Sequence, residues 1–159
     1  MEPTNCAALL DRLAETPQAL TRALRELPDG KLRTRPAPES FAPIEVAWHL
    51  RDIECEGWLA RMRRILDEPT PILASIDGDR LAVERAYLTL DLEAALTQFA
   101  QARRQSVEIL RTLPPHRWDW SGIFEGQPLT LARLAELMLQ HDVDHLGELY
   151  GHAVKSRAA

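Results

Sequence analysis

The run Leu131-Ala-Arg-Leu-Ala-Glu-Leu-Met-Leu-Gln-His141-Asp-Val-Asp-His145-Leu-Gly-Glu-Leu-Tyr150 decides the fold. At about 100° per residue, Leu134, Leu137, Met138, His141, His145, Glu148 and Leu149 fall on one face. Thr130 stands before the run as an N-cap, and Leu129 and Leu134 have the spacing of a hydrophobic staple. The segment reads as an amphipathic helix over about residues 131–154, with two histidines one turn apart on its core-facing stripe. Imidazoles at i and i+4 can point at one metal ion. A pair of hydrogen-bonded histidines at the core edge is the alternative.

Working outward, Pro and Gly divide the rest of the chain into three more segments of helical period and little β-alternation. The first spans about residues 4–27, with Leu9, Leu10, Leu13, Leu20, Leu24 and Leu27 as its stripe. Thr16-Pro17 interrupts it, so the expectation is a kink or two short helices with Thr16 as a cap. The second starts at Pro43, a good first helical residue, and runs to about Leu66 before Pro69 and Pro71 stop it. The third runs from the candidate N-cap Asp91 to Leu113, ahead of Pro114-Pro115. The expected architecture is all-α: one four-helix-bundle domain over residues 1–159, with a kinked first helix and a long crossover between helices two and three. That crossover, residues 67–90, exceeds what antiparallel neighbours need, and it has room for a short helix near residues 79–87. The connection before the last helix carries Trp118, Trp120 and Phe124 and can cap one end of the bundle.

Helix two supplies a third histidine. Val46, His49, Ile53 and Ala60 share a face, so His49 also points inward or to the edge of the inward stripe. Three polar rings in an apolar bundle are costly unless each is satisfied, and one divalent cation could satisfy all three. Three neutral nitrogens leave coordination positions open, which is the pattern of catalytic sites. Glu45, Asp52 and Glu56 lie near the azimuth of His49, and Asp144 and Glu148 flank His145. Each could orient a ligand or become a fourth, Asp52 being the favoured partner of His49, and each is otherwise a solvated acidic edge. The His-Asp-Val-Asp-His run matches a helical HExxH protease signature only in part, since Asp142 is one methylene short of the required base. His116 follows two prolines in a loop and is expected to be exposed; His152 lies near a helix end, where it suits the helix dipole.

Composition narrows the remaining classes. A chain of 159 residues and 18.0 kDa is one domain's worth and can bury a full core without disulfides. A net charge of −5 argues against a general nucleic-acid binder. No apolar run approaches the roughly 20 residues of a membrane span, and Met1-Glu-Pro-Thr lacks the features of a signal peptide, so a cytoplasmic location is expected. Cys6 and Cys55, far apart and without CxxC spacing, read as plain thiols.

Two motifs carry a family resemblance: Phe41-Ala-Pro-Ile-Glu-Val-Ala-Trp-His49-Leu opening helix two, and Leu129-Thr-Leu-Ala-Arg-Leu followed by Gln140-His141-Asp-Val-Asp-His145-Leu in the last helix. With them the chain resembles the DinB/YfiT-like superfamily of metal-dependent proteins over most of its length. The resemblance implies a divalent metal ion, most often zinc or nickel, held by His49, His141 and His145. It also implies a homodimer, a small-molecule substrate and, in characterised relatives, transferase or isomerase chemistry with a low-molecular-weight thiol as cosubstrate. Where the family often has Ser before the proline of helix two this chain has Ala42, which weakens capping and not metal binding. A Lewis-acidic ion lowers the pKa of a thiol as it does that of water. Arg51, Arg61, Arg80 and Arg85 are candidate partners for a thiol's carboxylates, with solvated surface arginines as the alternative. Metal-dependent hydrolysis and a non-catalytic, dimeric metal-binding bundle remain the competing expectations.

Overall fold

A computed structural model describes the backbone of residues 3–28 and 30–157, and side chains over residues 6–28 and 30–151. The described residues form four helical rods. The first is α1 (Pro3–Arg25). The second is α2 (Pro43–Asp52), a π-helical turn (Ile53–Trp58) and α3 (Leu59–Asp67) in one continuous run. The third is α5 (Leu92–Thr112) and the fourth α6 (Leu131–Arg157). Between the second and third rods lie β1 (Ile72–Leu73), α4 (Gly78–Glu84) and a 3-10 turn (Tyr87–Thr89). Between the third and fourth lie a 3-10 turn (Pro115–Asp119), β2 (Ser121–Phe124) and β3 (Gln127–Thr130). Among the described residues no helix is long and apolar enough to cross a membrane.

The expected caps form. Asp91 accepts from the Ala94 backbone N–H at 2.7 Å, and Thr130 accepts from that of Arg133 at 3.1 Å. At α2 the N-cap is Ala42, which has no side-chain acceptor. Glu45, three residues on, reaches back to the Ala42 N–H at 2.8 Å and supplies half of a capping box.

Of the two forms expected for the first helix, the chain does not split into two: a single helix runs through Pro17, and Thr16, inside it, is not a cap. Proline removes the N–H that would meet the Leu13 carbonyl, the usual reason for a break. Here the Arg103 guanidinium of α5 donates to that carbonyl at 3.1 Å, while the Thr16 hydroxyl donates to Asp142 at 2.9 Å. Tertiary partners thus replace what proline takes away. The second rod also departs from a regular helix, because the π turn inserts extra backbone between its two halves.

Contacts fix the arrangement. α1 packs on α5 and α6, and the second rod packs on the same two from the opposite side. Pairs ascend together between the second and third rods: Arg51 with Gln98, Glu54 with Arg103, Arg63 with Gln105. Those rods are therefore parallel, and the chain must travel back along the bundle between them, which is why the crossover is long. The 125–126 turn joining β2 to β3 has both residues at positive φ, 50° and 78°, the geometry of a tight hairpin. β1 adds to β2 in parallel, with Ile72 opposite Ile123. This small sheet, not anticipated in the all-α reading, packs with Trp118 and Leu129 on a core cluster of Met62, Leu110, Leu134 and Met138. A second cluster, around Leu20, Ile44, Leu50, Tyr87 and Phe99, fills the other half. The histidine-bearing turns of α2 and α6 lie between these clusters.

Candidate metal centre

His49 is carried two turns into α2, and His141 and His145 one turn apart on α6. The antiparallel contact of these rods brings the three together. His49 Nε2 stands 3.1 Å from His141 Nε2, and the centroid distances to the His145 ring are 4.7 Å and 4.6 Å. One nitrogen from each ring can be chosen so that all three lie within 4.8 Å of one another. Two imidazoles bound to one ion at about 2.0–2.1 Å have nitrogens roughly 3.0–3.4 Å apart, so the His49–His141 pair at 3.1 Å has the spacing of two ligands of one ion, with His145 close enough to offer a third donor.

The surroundings fix which nitrogens converge. His145 Nδ1 lies 2.9 Å from Glu148 Oε2, one turn further along α6. A carboxylate only accepts, so Nδ1 carries the proton and the Nε2 lone pair is left for the site. His49 Nδ1 and His141 Nδ1 are buried without hydrogen-bond partners. The indole of Trp58, from the π turn, meets the His141 ring edge-on at 5.9 Å, and Phe41 lies 5.2 Å from His49. Burial, with the nearby His145, pushes His49 down to about 4 despite Asp52. Burial, with His145, His49 and Arg103, pushes His141 down to about 3. Both rings are therefore neutral donors across the physiological range.

Of the acidic candidates, only Glu148 orients a site histidine. Asp52 does not bond His49, because its carboxylate is taken by Arg51 at 2.6 Å, Arg85 at 2.5 Å and the Tyr87 hydroxyl. Glu56 pairs with Arg85 at 2.7 Å, and Asp144 accepts from Gln140 at 2.8 Å. Glu45 caps α2 and holds Arg35 through two bonds of 2.8 Å and 2.6 Å. Asp142 is buried and turned away, into the Arg103 network.

The candidate arginines are likewise occupied. Arg51 and Arg85 serve Asp52 and Glu56; Arg80 lies on the surface beside Glu84. Arg61 is buried rather than solvated, donating twice to the Ala74 carbonyl and lying over Trp58 and Phe124. His116 is exposed against Trp120, and the side chain of His152 lies outside the described residues. Cys6 and Cys55 are free thiols.

A cleft of about 780 Å³ opens beside His145, between the 27–43 connection and the last turns of α6. Its polar lining includes Lys31, Arg35, Glu39, Asp79 and Glu148. Sequence reading passed over Lys31 and Arg35 because they sit in a Pro-punctuated connection without periodicity. The adjoining Phe41 was the signal that this connection reaches the site.

The pattern of the DinB superfamily matches residues 12–149. No curated protein matches the chain. Among solved structures, YfiT from Bacillus subtilis superposes with a TM-score of 0.91 at 19% identity, over 98% of this chain and 89% of that one. YfiT is described as a probable metal-dependent hydrolase with an unusual four-helix bundle topology.

Proposed function

This chain belongs to the DinB superfamily, and from that premise we propose that it is a metal-dependent enzyme whose His49, His141 and His145 hold one divalent ion, zinc or nickel. The observation that carries the reading is the convergence of three imidazoles, two of them with Nε2 atoms 3.1 Å apart, in surroundings that keep His49 and His141 uncharged. Such an ion, when bound, supplies Lewis acidity that lowers the pKa of a thiol or water brought against it. The protein's own groups do the rest. Glu148 fixes the His145 tautomer, Trp58 and Phe41 wall the site with apolar surface, and the cleft beside His145 seats the small molecule.

The proposed reaction is transfer of a low-molecular-weight thiol to an electrophile. The supporting observation is the cleft: about 780 Å³ holds a nucleophile of cofactor size, and Lys31, with the Arg35 nitrogen that Glu45 leaves unbonded, offers cationic partners for its carboxylates. Arg35 keeps its charge beside the buried Glu45, whose hydrogen bonds raise its pKa. Hydrolysis is the second reading, favoured by the description of YfiT. The test is turnover by the metal-loaded protein of an electrophile such as monochlorobimane with several thiols, alongside a panel of activated esters and amides. Thiol-dependent turnover that disappears in Lys31→Ala/Arg35→Ala supports the transferase reading. Hydrolysis without thiol dependence replaces it with the second, and no turnover of either kind leaves a non-catalytic metal-binding bundle.

A further inference from the structure

We propose that Gly78, in the crossover, is a positioning residue for this metal centre: its missing side chain lets the His49 ring stand where Nε2 meets that of His141. The inference rests on the metal reading above. A Cβ built on Gly78 would lie 2.4 Å from His49 Cε1 and 2.6 Å from His49 Nδ1, distances that no relaxed packing tolerates. The backbone does not itself ask for glycine there. Gly30 and Gly126 are the described glycines with positive φ, whereas Gly78 is the first residue of α4, where any residue but a poor helix former is accepted. The vacancy therefore serves the neighbouring ring and not the turn.

The ring has little room to retreat. Phe41 lies 5.2 Å from it, His141 5.1 Å and His145 4.7 Å, centroid to centroid. Relief from a Cβ requires either rotation of the imidazole, which moves Nε2 off the convergence point, or displacement of α4. The N-cap bond from the Arg80 N–H to Asp77, at 2.9 Å, and burial of Leu81 and Ala82 in the core oppose the second route. The long connection thus does more than return the chain along the bundle: it presents the surface against which a ligand ring is set.

The test is zinc titration by calorimetry of the full chain, as wild type, Gly78→Ala, His49→Ala and the double variant, with metal-free melting curves for each. The expected result is one zinc per wild-type chain and a loss of affinity of about 10- to 100-fold in Gly78→Ala, the scale for disturbing a ligand's support. The double variant should bind no more weakly than His49→Ala alone, since the glycine acts through that ring. The metal-free Tm of Gly78→Ala should fall, because both routes of relief are opposed, and adding His49→Ala should restore it by removing the ring that the Cβ meets. Wild-type affinity in Gly78→Ala, additive losses in the double variant, or a lowered Tm that His49→Ala leaves unrestored overturns the inference. A wild-type protein that takes up no zinc overturns the metal reading and this inference with it.

Discussion

At the scale of single residues, the protein sets aside neutral imidazoles inside an apolar bundle. The ordinary histidine value of 6.5 falls to about 4 at His49 and about 3 at His141, chiefly through burial. The sign of the consequence follows from proton counting. As pH falls below 6.5 the unfolded chain takes up protons at these two positions, while the folded chain does so only near 4 and 3. Stability from the neutral rings is thus complete above 6.5 and is lost progressively as pH falls through that window. The metal-free protein should lose more Tm between pH 6.5 and 4.5 than a His49→Gln/His141→Gln variant does. Parallel melting temperatures for the two proteins would contradict the burial account. Metal uptake follows the same logic, since protons do not compete at these nitrogens until pH is well below neutral.

At the scale of elements, one buried ionic cluster ties all four rods together. Arg103 of α5 donates to Glu54 of the π turn at 2.8 Å, to Asp142 of α6 at 2.9 Å and to the Leu13 carbonyl of α1 at 3.1 Å. Ser106 and Thr16 complete the carboxylates' partners, at 2.6 Å and 2.9 Å. Arg103 and Asp142 are each 1% exposed and Glu54 0%. Asp142 adjoins His141, so the cluster also fixes the turn of α6 that carries a site ring. Arg103→Met leaves two carboxylates buried without their cation, which costs roughly 3–5 kcal/mol. For a domain of this length that is a Tm loss on the order of 10 °C, read by thermal melting. A shift of only a few degrees would mean that the cluster contributes little.

This cluster also marks how far the sequence could be read. The four helical segments, the Asp91 and Thr130 caps and the inward faces of His49, His141 and His145 follow from local period, and local period is what a single chain displays. Pro17 left a kink and two short helices both open because the donor that keeps its helix single, Arg103, lies 86 positions away in sequence. The π turn left no mark, since nothing in the run Ile53-Glu-Cys-Glu-Gly-Trp58 departs from the period of an ordinary helix. The hairpin strands are four residues each, too short for alternation to register. The role of the candidate arginines stayed open because an arginine's role depends on which carboxylates the fold brings to it.

At the scale of the whole molecule, parallel second and third rods impose a crossover, and the crossover brings Gly78 against His49 and Asp79 to the cleft. The antiparallel α2–α6 contact sets the third histidine against the other two, and Lys31, Arg35 and Phe41 from the connection before α2 line the cleft beside His145. The account stands on one ion at the meeting point of these elements. The direct measurement is metal content per chain after equilibration with zinc or nickel and desalting, for the wild type and for His49→Ala, His141→Ala and His145→Ala in turn. One equivalent in the wild type and a sharp loss in each variant is the predicted result. A wild-type protein without stoichiometric metal, or His141→Ala retaining a full equivalent, would contradict the account.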